Sequence, residues 1–310
     1  ATGIAITGTD ATNYTQNTTA TTTADVTART LAVTITASNK TYNQNASASV
    51  TYADNRVTGD VFTVSGTATF PDKNVGTART VTATGITITG TDAANYTQNS
   101  TATTTANITA KALAVTISGG SKTYDGNTSA TVTYNDDRIA GDVLTVSGTA
   151  TFPSKTIGTK TVTATGISLT GTDAANYTQN TSTTVSATIS ARTLTVGITA
   201  SNKTYDRLTT ATVTYNDDRV SGDVLTVSGT ATFDTKNVGA GKTVTATGIT
   251  IAGTDAANYT QNTTATTTAN ITAKTLAVTI TASNKTYDQN DTASVTYADN
   301  RITGDVLTVS

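Results

Sequence analysis

Aspartates recur in pairs and at fixed places along the chain, and they are the first side chains that could do chemistry. Asp136-Asp137 and Asp217-Asp218 lie in turn-rich segments, with Asp142 and Asp173 further along. Carboxylates gathered on loops are hard oxygen ligands that suit calcium. Neither an EF-hand spacing nor a Gly-Asp nonapeptide is present, however, and aspartate is an ordinary turn residue. Turn formation is the reading carried forward, with structural calcium as the alternative. No metal-binding, catalytic or cofactor-binding residue is assigned, and no cofactor is expected.

Lys122, Asp142 and Asn176 offer a second chemistry. A lysine amine and an asparagine amide can join in an isopeptide bond, losing ammonia, when an acid lies beside them and all three are buried together. Tyr14, Tyr96, Tyr177 and Tyr259, each in Asn-Tyr-Thr, could stack on sugars; a core tyrosine with its hydroxyl bonded to a turn is the plainer reading. The threonine run from Thr101 to Thr105 resembles the hydroxyl rows of ice-binding coils but lacks their short period. Cysteine and histidine are absent, which removes thiol nucleophiles and the commonest acid–base group. Net charge is -2 with scattered cations, so no basic stripe addresses nucleic acid. An enzyme is not expected.

These side chains must be positioned by a repeated element. Lys-Thr-Tyr begins at Lys40, Lys122, Lys203 and Lys285, and Gly-Thr-Asp at Gly8, Gly90, Gly171 and Gly253. A period near 82 residues exceeds that of a solenoid coil and suffices for a small domain. The spacing predicts three whole repeats, 29–110, 111–191 and 192–273. They are flanked by the C-terminal part of a repeat at 1–28 and the N-terminal part of one at 274–310.

Each repeat reads as all-β. Glutamate, a helix former, is absent, and threonine, valine and isoleucine favour a pleated surface. Leu31, Val33 and Ile35 alternate with Ala32 and Thr34, and Phe62, Val64, Ala68 and Phe70 share a parity. Val81 and Ala83 are odd whereas Ile86 and Ile88 are even, so a bulge or corner is expected at Gly85, and likewise at Gly166 and Gly248. About seven short strands per repeat predict an immunoglobulin-like β-sandwich.

The joints carry no flexible spacer. Ile108 to Val115 reads ITAKALAV, without glycine or proline. Tandem domains on such short linkers should form an extended rod, each adding about 35–40 Å on the strand rise. The expected partners are neighbouring repeats of the same chain, with lateral or end-to-end self-association. No apolar run is long enough to span a membrane as a helix.

Lys122-Thr123-Tyr124-Asp125-Gly126-Asn127, with Gly141-Asp142-Val143-Leu144 and Gly171-Thr172-Asp173, resembles the bacterial YDG repeat domain. The other copies depart at the triplet: Tyr42-Asn43-Gln44, Tyr205-Asp206-Arg207 and Tyr287-Asp288-Gln289. This variation reads as a turn tolerant of substitution. The resemblance implies tandem immunoglobulin-like spacers of filamentous-haemagglutinin-like surface adhesins. The expected function is therefore a structural stalk of a secreted, extracellular adhesin or fibre at the bacterial cell surface. A self-assembling filament or sheath, and a repeated glycan-binding module, are the alternatives.

Overall fold

The computed structural model describes residues 1–310. The chain is all-β: 51% of residues lie in strands and the only helical pieces are single 3-10 turns. No helix is long and apolar enough to cross a membrane. Three repeats of about 80 residues follow one another.

The first repeat shows the plan. Its strands are β1 (Arg29–Leu31), β2 (Val33–Ala37), β3 (Lys40–Thr41), β4 (Val50–Asp54), β5 (Thr63–Thr69), β6 (Gly76–Thr89), β7 (Tyr96–Gln98) and β8 (Thr101–Thr109). A four-stranded sheet runs in the order β3-β8-β6-β5, with β3 parallel to β8 and the other pairs antiparallel. An antiparallel β2–β4 pair sets Ile35 opposite Tyr52. A short parallel β1–β7 pair ties the start of the repeat to its end.

Alternation decides which side chains enter the core. Leu31, Val33 and Ile35 are buried while Ala32 and Thr34 are exposed, as a period of two requires. They share the core with Val81 and Ala83 of β6, Ala106 and Ile108 of β8, and Phe70. Leu31 and Val81 are fully enclosed, each contributing about 2 kcal/mol of transfer free energy. The cores are lean, because alanine occupies several of the inward positions.

The parity break at Gly85 is a bulge. Ser65 pairs with Thr87 and Thr67 with Thr84, so two steps on β5 face three on β6. Gly85 takes the left-handed conformation at φ 59°, which lets Val81, Ala83 and Ile86 all point inward. The third repeat shows the same shift between Ser228 and Thr230, opposite Gly248 at φ 62°.

Contacts group the chain into two compact units whose boundary runs through the second repeat. One unit holds 1–115, 136–146 and 168–180, so two loop segments of the second repeat pack with the whole of the first. Within it Lys111–Leu113 pairs in parallel with Tyr177–Gln179. The other unit holds 116–135, 147–167 and 181–310. It contains the remaining strands of the second repeat, the complete third repeat, and the Val278–Ala282 and Val295–Asp299 pair.

Candidate functional site: the buried joint between repeats

The site begins with a tyrosine at the end of β3. After Thr41 the chain leaves the sheet, and the Tyr42 N–H still donates to the Thr109 carbonyl at 2.8 Å. This anchored backbone directs the Tyr42 ring out of its own repeat. Its hydroxyl meets the carboxylate of Asp142 in the next repeat, at 2.9 and 3.0 Å from the two oxygens.

Asp142 is held by a turn of its own, its N–H donating to the Ile139 carbonyl at 3.1 Å. The carboxylate is a hub. Tyr177 of the same repeat donates to Oδ2 at 2.6 Å, and Gln44 of the preceding repeat donates to Oδ1 at 2.8 Å. The Lys73 ammonium, also from the preceding repeat, lies 3.2 Å from Oδ1 and 2.7 Å from Asp173 Oδ1. Tyr42 and Tyr177 pack edge to face with centroids 5.5 Å apart, as two quadrupoles prefer.

Further bonds close the joint. The Val75 N–H donates to Asn176 Oδ1 at 2.9 Å, and Asn176 Nδ2 donates to Asn74 Oδ1 at 3.2 Å. Asp173 Oδ2 accepts the Val143 N–H at 3.0 Å, and the Tyr177 hydroxyl accepts the Ile139 N–H at 2.9 Å. Two carboxylates and one ammonium leave a formal excess of one negative charge. Tyrosine and glutamine donors offset it.

The side chain of Asp142 is wholly enclosed. Burial alone pushes its carboxyl up, but hydrogen bonds from Tyr177, Gln44, Tyr42 and Lys73 outweigh burial and hold it below the usual carboxylate value. Lys73 is raised, chiefly by its bond to Asp173. The Tyr177 hydroxyl is pushed up to about 12 by burial and by the neighbouring carboxylate.

The arrangement recurs in the second unit. Tyr124 donates to Asp223 at 3.0 and 2.9 Å, and Tyr259 at 2.6 Å. Lys155 bridges Asp223 at 3.0 Å and Asp255 at 3.2 Å. The Ile157 N–H reaches Asn258 Oδ1 at 3.1 Å. Tyr205 donates to Asp305 at 2.9 Å, so the same pairing joins the third repeat to the strands after it. A YDG domain model matches residues 27–106, 109–185 and 190–269.

The chain belongs to the YDG domain family. No relative is found among curated proteins. In the second of these YDG domains the name-giving residues divide their work: Tyr124 crosses to Asp223, Asp125 accepts Lys122 Nζ at 2.7 Å, and Gly126 adopts φ 79°.

The residues singled out in the sequence fall out as follows. Asp142 and Asp173 do come together, but the cation between them is the Lys73 ammonium. Asp136 is taken by Arg138 of its own turn, with Nε at 2.7 Å from Oδ1, and Asp137 accepts the Ala114 N–H at 2.8 Å. Asp217 and Asp218 repeat this, bonded to Arg219 and to the Thr195 N–H. No three acidic side chains converge.

Lys122, Asp142 and Asn176 each have other partners within their own units. Lys122 is held by Asp125 and Asn127, while Asn176 bonds Asn74 and Val75. Tyr96, Tyr177 and Tyr259 are buried and brace turns through the N–H groups of Val57, Ile139 and Val220. Tyr14 is exposed. On β8 only Thr101, Thr103 and Thr105 of the threonine run face outward.

Sequence reasoning missed Lys73 and Lys155, and the crossing role of Tyr42 and Tyr124. A signal existed. Lys73 and Lys155 stand at the same place in successive repeats, as do Asp142 and Asp223. In a chain this poor in charge, such a recurrence marks a pairing.

Proposed function

We propose that these YDG repeats are structural spacers in the stalk of a secreted bacterial surface adhesin or extracellular fibre, holding a distal binding region away from the cell. One observation carries the reading: the buried carboxylate shared across a joint, Asp142 and then Asp223, each clasped by a tyrosine and a lysine of the preceding repeat. A flexible linker would leave such groups in solvent. A satisfied buried polar network fixes one geometry, because an unpaired member would be costly.

The extracellular setting is supported by composition. A chain without cysteine and methionine has no thiol or thioether to oxidise. The role is mechanical rather than catalytic, and tension would pass from strand to strand through the clasps. Small-angle X-ray scattering on chains of one, two and three added repeats tests it. Equal increments in maximum dimension support a spacer; a dimension growing as the square root of repeat number rejects it.

A further inference from the structure

Among the differences between the joints, one lies at the third residue of the Tyr-Asx-X triplet. Gln44, Gly126 and Arg207 occupy this place, at φ 69°, 79° and 68°. The left-handed backbone normally favours glycine, so Gln44 and Arg207 are retained against a conformational cost. Each has a partner in the following repeat. Gln44 Nε2 donates to Asp142 Oδ1 at 2.8 Å and to the Ala140 carbonyl at 3.1 Å. Arg207 donates to the Thr303 carbonyl at 2.7 Å, with its Nε 3.5 Å from Asp305.

Gly126 makes no such bond. A Cβ there would lie 2.8 Å from Val220 Cγ1 of the next repeat, so the position has no room for a side chain on its present path. The facing glycine changes its surroundings accordingly. A Cβ on Gly141 would sit 3.4 Å from Gln44 Nε2, whereas one on Gly222 would meet nothing within 4 Å.

We infer that the residue at this left-handed position sets the strength of the joint to the following repeat. A glutamine or arginine adds bonds to a loop carbonyl and to the aspartate of the following repeat. Glycine adds none, and the facing loops are alike, with Ile139, Val220 and Ile302 at one place. The joint at Gly126 then opens before the joint at Gln44. This goes beyond the spacer reading, since it concerns relative joint strength whatever the chain supports.

Amide hydrogen exchange by NMR on the full chain tests it, because two backbone N–H groups report opening directly. Val75 N–H is held by Asn176, and Ile157 N–H by Asn258, both across a joint. The Val75 protection factor should exceed that of Ile157 by about tenfold, the weight of one charge-assisted bond. Gln44→Gly, which suits the backbone, and Gln44→Asn, which tolerates it but is too short to reach, should each lower Val75 to the Ile157 level. Ile157 should not move. Ala48 N–H, held by the Ala68 carbonyl within its own repeat, serves as the control. Equal protection at Val75 and Ile157 in the unaltered chain overturns the inference. So does an unchanged Val75 in both variants, or an equal loss at Ala48.

Discussion

Tyr42 and Asp142 stand one hundred positions apart and in different repeats, yet the hydroxyl of one lies within 3.0 Å of both carboxylate oxygens of the other. Tyr124 and Asp223 repeat the relationship with 3.0 and 2.9 Å. The pairing makes each repeat depend on the next for the partner of a buried phenol.

Removing the carboxylate should therefore cost far more than a surface substitution. Asp142→Ala leaves the Tyr42 and Tyr177 hydroxyls without their acceptor and the Gln44 amide with only the Ala140 carbonyl. The expected loss is about 3 kcal/mol, the scale for breaking a buried charged network by deleting one member. Urea denaturation of the full chain measures it, with Asp10→Ala, in the exposed turn before Tyr14, as the near-neutral control.

Acid should loosen the joints. Asp142 and Asp173 are both held below the usual carboxylate value in the folded chain. Their contribution is complete above the unfolded value of about 3.9 and disappears as pH falls through the lower folded values. With no histidine, no side chain with an ordinary pKa titrates between about 5 and 8. Stability should be flat across that window and fall below about pH 4, and the fall should be shallower in Asp142→Asn.

Alkali should do the same from the other side. Tyr177 and Tyr259 are pushed up to about 12 in the folded chain, first by burial and then by the carboxylate each one faces. A raised folded value means the stabilisation is complete below the ordinary value of about 10 and is lost as pH rises through about 12. Ultraviolet titration should show a late class of phenols ionising together with unfolding. A single transition near 10 with the fold intact would contradict this.

The bulge and the turn glycines should separate two causes of glycine dependence. A Cβ at Gly85 would meet nothing within 4 Å, so Gly85→Ala bears only the left-handed penalty of about 1 kcal/mol. At Gly90 the Cβ would lie 2.6 Å from Phe62 Cα and 2.7 Å from the Val61 carbonyl oxygen. Gly90→Ala adds backbone displacement and should cost about 3 kcal/mol or more. Thermal unfolding of the two variants gives the ranking.

Much of the repeat was legible because strand alternation is a local property. Leu31, Val33 and Ile35 declared their buried face, and the parity change at Gly85 announced a bulge before any pairing was known. The parallel β1–β7 and β3–β8 pairs were not legible, since they join residues separated by most of a repeat. The joint was half visible. Asp142 and Asp173 drew notice as oxygen donors, and their recurrence was real, but sequence cannot say that the cation between them comes from Lys73 of the preceding repeat. The triplet around Gln44 read as a tolerant turn because its residues vary. In the structure Gln44 and Arg207 each reach the neighbour by a different bond.

A double-mutant cycle between Tyr42→Phe and Asp142→Asn, read by urea denaturation of the full chain, tests the clasp most directly. If the two residues act across the joint as described, their losses will be non-additive, with a coupling of about 1.5 kcal/mol. Additive losses would mean that the phenol and the carboxylate stabilise their own repeats separately, and that the joint is held by something else.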